Sequence, residues 1–256
     1  MKALRSKILF FVFFSIYGLS AHGQDYDIVG LKLGMSVEQV QAALKSYGVD
    51  KKNIQERRRY FNYSDGVELF QTDDFVAYIY ANRNKDNNFE NLSIFFSFGP
   101  PGGKVVAITR TIENRTNPLT RSQFLTALKS KYGQPTSEDI STVYWSFPAE
   151  KVQCIAGAVG GYRPDQPSIL KKIYGANVGS RDGIFHIRTV NSLEQCSSYL
   201  TYAMPTGDAS PVTTATAVMV DVAGTAEGEL SANEWVEGLA DKARKEREAK
   251  AVKPDF

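Results

Sequence analysis

The stretch LGMSVEQVQAAL, from Leu33 to Leu44, changes its apolar pattern halfway along and decides how the chain begins to fold. A short alternating run stops at a glycine. Ser36 is then followed three residues later by Gln39, which is the spacing of a capping box at a helix start. Apolar residues recur beyond it at helical spacing: Val37, Val40, Leu44 and Tyr47. Gly48 can end the helix in a left-handed conformation. The stretch therefore predicts a strand leading directly into an amphipathic helix.

The same pattern returns about 84 residues later in LTRSQFLTALKSKYG, from Leu119 to Gly133. Thr120 and Gln123 form a second capping box, and Ala-Leu-Lys-Ser occupies the same place in both helices. The second apolar stripe consists of Phe124, Ala127, Leu128 and Tyr132. Matching caps, stripes and stops indicate an internal repeat. We predict unit 1 over residues 24–117 and unit 2 over residues 118–227.

Extended runs rich in aromatic and β-branched residues follow each predicted helix. In unit 1 they are Arg57–Tyr63, Phe75–Ala81, Leu92–Phe98 and Lys104–Glu113. In unit 2 they are Thr142–Phe147, Gln153–Val159, Gly183–Val190, Ser198–Met204 and Val212–Val222. The predicted fold class is α+β: a tandem repeat of a helix packed on an antiparallel four- to five-stranded meander, plus a C-terminal helix.

Residues 228–256 form a charged tail in which Ser231 and Glu234 have the spacing of a third capping box. Trp235 and Leu239 give this predicted helix a thin apolar stripe, and we expect Trp235 to dock on unit 2. The run DKARKEREAK that follows is charged on all sides, which is typical of a solvated helix.

Residues 1–23 have the composition of a signal peptide. Three basic residues precede a mostly apolar run, Ile8–Leu19, and Ala21 and Gly23 are small residues suited to a signal peptidase. The run is shorter than the roughly 20 residues of a membrane span, so no span is expected after cleavage near Gly23. A retained N-terminal anchor is the alternative. We expect the mature protein in the periplasm or the secreted fraction.

The mature chain is nearly neutral, because residues 1–23 hold three of the 30 basic residues and none of the 28 acidic ones. This balance provides no overall attraction to nucleic acid, and no nucleic-acid partner is expected. About 233 residues remain, which is enough for one large domain or two small ones.

Cys154 and Cys196 are the two cysteines of the chain. An even pair in an exported protein most often forms a structural disulfide, and we predict that bond here. A redox pair is the alternative, although the two are far apart and form no C-x-x-C motif. The bond closes a loop of roughly 40 residues and stabilises the fold by about 3–4 kcal/mol in the chain-entropy description.

The string from Gly30 to Ser36, followed by Glu38 and Val40, resembles the opening of repeats in a superfamily of exported bacterial proteins. That superfamily includes the BamE- and SmpA-like outer-membrane assembly lipoproteins and the β-lactamase inhibitory protein. The resemblance covers about a dozen residues, and unit 2 has Pro118-Leu119-Thr120 where unit 1 has Gly-Met-Ser. It implies tandem helix-plus-sheet units that bind other envelope or secreted proteins without catalysis. No cysteine lies near the cleavage point, so lipid attachment there is not expected.

The sequence shows no catalytic or metal-binding set. His186 is the one histidine beyond residue 23, whereas a zinc site uses three or four ligands. No P-loop, dinucleotide fingerprint or Gly-x-Ser-x-Gly elbow is present. We therefore predict a protein that is not an enzyme and needs no cofactor or metal ion.

Arg57, Arg58 and Arg59 form the first of two candidate functional features. On a strand, Arg57 and Arg59 share one side with Phe61, and Arg58 lies on the other. Charges on both sides are typical of an edge strand, where they prevent unwanted pairing. Contact with an acidic partner is the alternative interpretation.

The second feature is a predicted aromatic sheet face formed by Tyr78, Tyr80 and Phe95. The more apolar alternate residues of the same two runs are expected to meet the helix, which leaves these three beside serines on the opposite face. Tyrosine is common in interface hot spots, so the face suits protein recognition. The alternative is that the two units pack these faces together or that the tail covers them. Tyr144 and Tyr199 are the equivalent candidates in unit 2.

The predicted function is therefore that of a non-enzymatic protein-binding module, acting as an assembly factor, adaptor or inhibitor through exposed sheet faces. Its expected partner is an unidentified envelope or secreted protein. The alternative is a carrier of a small ligand or lipid, with a pocket between helix and sheet.

Overall fold

The computed structural model describes residues 26–86, 88–98, 103–152, 154 and 192–251. Three helices are present in this part of the chain: α1 (Val37–Ser46), α2 (Arg121–Tyr132) and α3 (Val222–Ala249). Its strands are β1 (Ile54–Arg59), β2 (Asn62–Ser64), β3 (Leu69–Gln71), β4 (Phe75–Lys85), β5 (Asn88–Phe96), β6 (Val105–Glu113), β7 (Ser137–Glu138), β8 (Thr142–Phe147), β9 (Ser198–Ala203) and β10 (Thr214–Val220). The fold class is α+β, as predicted. The predicted strand Gly183–Val190, with His186, lies outside the described residues, as does Gln153–Val159 apart from Cys154.

Eight of these strands form one antiparallel sheet, in the order β1-β4-β5-β6-β10-β9-β8-β7. The prediction of a separate sheet for each unit is therefore wrong. The two sets of strands join where β10 pairs with β6, from Thr214 opposite Glu113 to Val220 opposite Ala107. The physical reason lies in β10, whose residues from Ala217 to Val220 are all buried. A strand with apolar side chains on both faces is stable in the middle of a sheet, where both faces are covered.

Both predicted capping boxes are present and fix the starts of α1 and α2. Ser36 and Thr120 accept hydrogen bonds from the backbone N–H groups of Gln39 and Gln123, whose side chains bond back to the caps. Gly48 has a φ of +85°, the left-handed conformation predicted for the end of α1. The two helices cover one face of the sheet and share a single apolar core. Its members include Val40, Leu44, Ile79, Ile94, Leu128, Trp145, Leu200 and Met219.

The segment before α1 ties the two halves of this core together. Tyr26 stacks on Phe147 with ring centroids 4.2 Å apart, and the carbonyl of Asp27 accepts a 2.7 Å hydrogen bond from the Tyr132 hydroxyl. A few residues later, Gly34 donates its N–H to the carbonyl of Val105 at 2.8 Å. One short stretch thus contacts α2, β8 and β6, and it orders the chain that leads into α1.

The C-terminal helix α3 begins earlier than predicted, at Val222, with Asp221 as its N-cap accepting from the N–H of Gly224. It runs unbroken to Ala249, so Ser231 lies inside the helix and caps nothing. Trp235 docks on Phe61, with ring centroids 6.5 Å apart. The prediction that it docks on unit 2 is wrong, because α3 leaves the central strand β10 and crosses toward the end of β5.

Phe61 belongs to an aromatic cluster that anchors α3 beside the small β2–β3 hairpin. Its ring lies 5.3 Å from that of Phe75 and 6.0 Å from that of Phe98. Further along α3, Arg247 pairs with Asp65 at 3.5 Å. The backbone N–H groups of Glu68 and Val67 lower the pKa of Asp65, so this carboxylate remains charged at neutral pH.

No helix of the described segments combines the length and apolar character needed to cross a membrane.

Gly228 is the position on α3 that allows the helix to approach the sheet. A Cβ there would lie 3.1 Å from the Cβ of Ser97 and 3.4 Å from the backbone nitrogen of Phe98. Gly228→Leu should therefore displace the helix and lower the free energy of unfolding by about 2 kcal/mol, the cost of overpacking a close contact. The matched control is Gly238→Leu on the same helix, where a Cβ meets nothing within 4 Å. The control should be neutral or gain up to about 1 kcal/mol of helix propensity in urea unfolding. Equal effects of the two changes would contradict this contact.

Cys154 and Cys196 form the predicted disulfide, with Cα atoms 5.3 Å apart and 42 residues of sequence separation. Val152, beside it, bridges in parallel to Cys196. Replacing both cysteines with alanine should lower the free energy of unfolding by about 4 kcal/mol, the chain-entropy value for a loop of this length. Urea unfolding of the double variant, compared with the oxidised parent, measures this loss. The parent under reducing conditions is the control, because it lacks the bond but keeps both cysteine side chains. A difference between the double variant and the reduced parent that is larger than the difference between the reduced and oxidised parent would mean that packing dominates instead.

Candidate functional site

The strand register brings several predicted site residues into two neighbouring rows on the sheet face that α1 and α2 leave uncovered, here called the outer face. Arg57 lies opposite Tyr78, and Tyr78 lies opposite Phe95. In the next row, Tyr80 is flanked by Gln55 and by Ser93. Cross-strand neighbours in an antiparallel sheet point to the same side, so the arginine run and the aromatic face meet at Arg57.

Phe95 lies on the predicted face but is only 6% exposed, so it is not available to a partner. It belongs to a second apolar cluster, together with Val222 and Ala226 from the start of α3 and both disulfide cysteines. Tyr78 packs against the edge of this cluster and remains half-buried. The helix residues that cover Phe95 precede residue 228, so they belong to the predicted unit 2 and not to the predicted tail.

Tyr144 and Tyr199, the equivalent candidates of unit 2, are also buried in this second cluster. Their rings stack with centroids 5.8 Å apart. Burial raises the pKa of Tyr199 well above its ordinary value. The outer face of the sheet is thus covered in its second half, by the start of α3 and by the disulfide-linked segments.

The part that stays accessible lies across β4, β5 and β6. Tyr80 is half-buried there, and its hydroxyl donates a 2.8 Å hydrogen bond to Oδ1 of Asn91, an exposed contact. The register continues these rows through Thr109 and Thr111 on β6. We define the outer-face patch as Tyr78, Tyr80, Asn82, Asn91, Ser93, Thr109 and Thr111. Its side chains are hydroxyls, amides and aromatic rings without formal charge, and they offer many donors and acceptors on a rigid support.

The arginine run lies on β1, at one edge of the eight-stranded sheet, as predicted for charges on both sides of a strand. A register shift lies between Arg57 and Arg58, because β4 has one extra residue there, Ala77, which pairs with no residue of β1. Arg58 contacts Asp74, both at the carboxylate (3.6 Å) and at the backbone carbonyl (3.2 Å). Arg57 and Arg59 are exposed.

The sequence did not reveal a largely buried ionic cluster under the C-terminal end of α1. Glu90 accepts hydrogen bonds from the Tyr47 hydroxyl at 2.6 Å and from Nη2 of Arg110 at 2.9 Å. Its other oxygen faces Nη1 of Arg83 at 3.3 Å. The guanidinium of Arg83 also lies over the Tyr47 ring, 4.4 Å from its centroid. One carboxylate therefore holds two arginines and the last turn of α1.

The electrostatics of this cluster favour its present protonation state. Burial raises the pKa of Tyr47, and its hydrogen bond to Glu90 raises the pKa further, so the phenol remains a donor. For Arg110, burial alone would lower the pKa, but the neighbouring Glu90 reverses the direction and the pKa is raised. The sequence does contain a signal that Glu90 is buried, because it alternates in phase with the buried residues Leu92 and Ile94 on β5. Its partners, distant in sequence, could not be identified.

A groove of about 760 Å³ lies between α1 and the edge strand β1. The helix contributes Gln41 and Lys45, and the strand contributes Ile54 and Glu56. The connecting segment adds Gly48, Val49, Asp50 and Lys51. The side chains of Gln41 and Glu56 are hydrogen-bonded to each other, which holds helix and strand in register.

Within the described ranges, no three carboxylate, histidine or cysteine side chains come together as a metal site requires.

Comparisons with known proteins found no matching family model, no matching curated protein and no matching solved structure.

Glu90→Gln tests whether the ionic cluster holds α1 on the sheet. The change leaves two largely buried guanidiniums without their carboxylate, so the free energy of unfolding should fall by about 3 kcal/mol in urea titration. Tyr47→Phe, which removes one hydrogen bond from the same cluster and no charge, should cost about 1 kcal/mol. A Glu90→Gln variant no less stable than Tyr47→Phe would refute the assignment of Glu90 as the central counterion.

Proposed function

We propose that this chain is an exported, non-enzymatic protein-binding module whose outer-face patch contacts an envelope or secreted protein. The observation that carries the proposal is the patch itself: an accessible, uncharged sheet surface on three consecutive strands, with Tyr80 at its centre. Tyr, Ser and Asn are the residues that binding surfaces use for rigid contact area and adaptable hydrogen bonding. An assembly factor, adaptor or inhibitor would use such a surface.

The support behind the patch favours tight recognition. Ile79, Ile94 and Ile108 on the opposite face of the same three strands are fully buried beneath the helices. A packed core holds the patch in one conformation before binding, so little ordering entropy is lost on association. The Tyr80–Asn91 hydrogen bond orients the phenol in the same way.

The architecture further supports a proposed tandem repeat with the boundaries predicted from the sequence. The order β1-β4-β5-β6 in the first half is mirrored by β7-β8-β9-β10 in the second, and each half has one box-capped helix. In this proposal the last strands of the two units meet at the centre, which doubles the width of the sheet.

Export is part of the proposal and rests on residues 1–23 and on the disulfide. A bond between Cys154 and Cys196 persists in an oxidising compartment such as the periplasm or the medium. The mature protein would begin near residue 24, two residues before Tyr26, which stacks on Phe147.

The carrier alternative has weaker support. The space between α1 and the sheet is filled by apolar side chains, among them the fully buried Val40 and Leu44. The lining of the adjoining groove includes Lys45, Asp50, Lys51 and Glu56, whose charges do not suit a wholly apolar ligand such as a lipid chain.

A photoreactive amino acid at position 80 tests the proposed function in living cells. We expect one dominant crosslinked protein, because Tyr80 lies in the accessible part of the outer face. The matched control is the same residue at position 127, since Ala127 is exposed on α2, on the other side of the sheet. Mass spectrometry of both samples should identify a product that depends on position 80.

The captured protein, once purified, provides the quantitative test. Tyr80→Ala should weaken its affinity by about tenfold or more, as for a hot-spot tyrosine. Tyr60→Ala is the control, because Tyr60 is 48% exposed but lies outside the patch. Equal effects of the two changes, or no position-dependent product from folded protein, would exclude the patch as the binding site.

A further inference from the structure

β1 is a long, open edge of the eight-stranded sheet. Among the described strands it pairs only with β4, and five of its six residues are exposed. In an antiparallel strand, alternate N–H and C=O groups point away from the neighbouring strand. The outer side of β1 therefore presents backbone donors and acceptors to solvent, which is the template for adding another strand.

The opposite edge of the same sheet shows a different solution. It is formed by β7, which has only two residues, Ser137 and Glu138. Short edge strands prevent pairing because they offer too few hydrogen bonds. At this edge the short β7 therefore offers little backbone for pairing. At the other edge, β1 offers a strand of six residues, five of them exposed.

Charge decides which strand could pair with β1. The run from Lys51 to Arg59 contains five basic residues and one acidic residue, Glu56, in a chain that holds 30 basic and 28 acidic residues in all. Arg58 is compensated by Asp74, but Lys51, Lys52, Arg57 and Arg59 are exposed. Two copies of this edge repel each other, whereas an acidic strand is attracted.

The groove beside β1 supplies room for side chains. Side chains of an added strand point alternately to the two faces of the sheet. On the α1 side they would enter the groove of about 760 Å³ between Lys45 and Ile54. This volume is within the range of small-ligand sites, about 300–1,000 Å³. In peptide recognition by strand addition, the sheet edge supplies backbone hydrogen bonds and adjoining pockets receive alternate side chains.

We propose that the open edge of β1 binds an extended acidic segment of a partner protein by strand addition, with alternate side chains in the groove beneath α1. The segment's carboxylates pair with the basic residues of the edge, and its backbone bonds to β1. This site goes beyond the proposed function, because it concerns the sheet edge and does not require the outer-face patch to bind anything.

The experiment uses the full mature chain and a labelled, end-blocked peptide of about ten residues that alternates valine and glutamate. Fluorescence anisotropy should show saturable one-to-one binding that weakens with salt. Amide hydrogen exchange should slow within Ile54–Arg59 in the complex, because strand addition creates new backbone hydrogen bonds there. Protection confined to other strands would overturn the proposal.

Matched variants separate this site from general charge attraction. Lys51→Glu with Arg59→Glu should weaken peptide binding about tenfold, since two ion pairs become repulsions. Lys245→Glu with Lys250→Glu makes the same change in net charge at exposed positions in and just after the last turns of α3, and should alter affinity less than about twofold. Equal losses in both double variants would overturn the proposal.

Two control peptides test the binding mode. Replacing every second valine with proline removes backbone donors and should abolish binding, whereas replacing glutamate with lysine should do so by charge. If the proline peptide binds as well as the parent, or oligothymidylate competes equally well per charge, the edge is a polyanion site and strand addition is wrong. Tyr80→Ala should leave peptide affinity unchanged, so a failure here and a failure of the outer-face patch are distinguishable.

Discussion

The pairing of β6 with β10 is the constraint on which the rest of this structure depends. Seven residue pairs, from Thr214–Glu113 to Val220–Ala107, join strands far apart in the sequence. They convert two sets of four strands into one sheet whose central strands are covered on both faces. Without this junction, β6 and β10 would be apolar edges with their inner residues exposed, which is the arrangement that leads to aggregation. The junction also fixes where α3 starts, since Asp221 donates its N–H to the carbonyl of Val106 at 2.8 Å.

Local sequence signals predicted the local structure well, and their limits are informative. Ser36–Gln39 and Thr120–Gln123 defined both helix starts because a capping box involves residues three apart. Alternation placed Tyr78, Tyr80 and Phe95 on the face opposite the helices. It could not show that Phe95 is covered, because the residues that cover it, Val222 and Ala226, lie more than a hundred residues later in the sequence. The ionic contacts of Glu90 are hidden for the same reason, since the identity of a buried counterion depends on tertiary register.

The error at Trp235 has a steric origin. A thin apolar stripe predicts that a helix docks, but its direction is set where the helix leaves the sheet and by the first position that allows close approach. Here that position is Gly228 against Ser97, which directs α3 toward the first half of the molecule. Phe61, Phe75 and Phe98 then form the surface that Trp235 meets. Considered by itself, a glycine in the middle of a helix lowers the stability of the helix by about 1 kcal/mol relative to alanine. In this fold it is what allows the helix to pack.

The covering of the outer face differs between the two halves, and this difference limits where the proposed recognition of a partner can occur. In the second half, Tyr144 and Tyr199 are buried beside the disulfide and the start of α3. In the first half, Tyr78 and Tyr80 are half-exposed on strands of the same sheet. Aromatic side chains on a sheet face are stable when buried and costly to leave in water unless they have hydrogen-bond partners or a binding role. Tyr80 has such a partner in Asn91. The other side chains of the outer-face patch are also uncharged, so a partner docking on the patch would displace water without having to neutralise a buried charge.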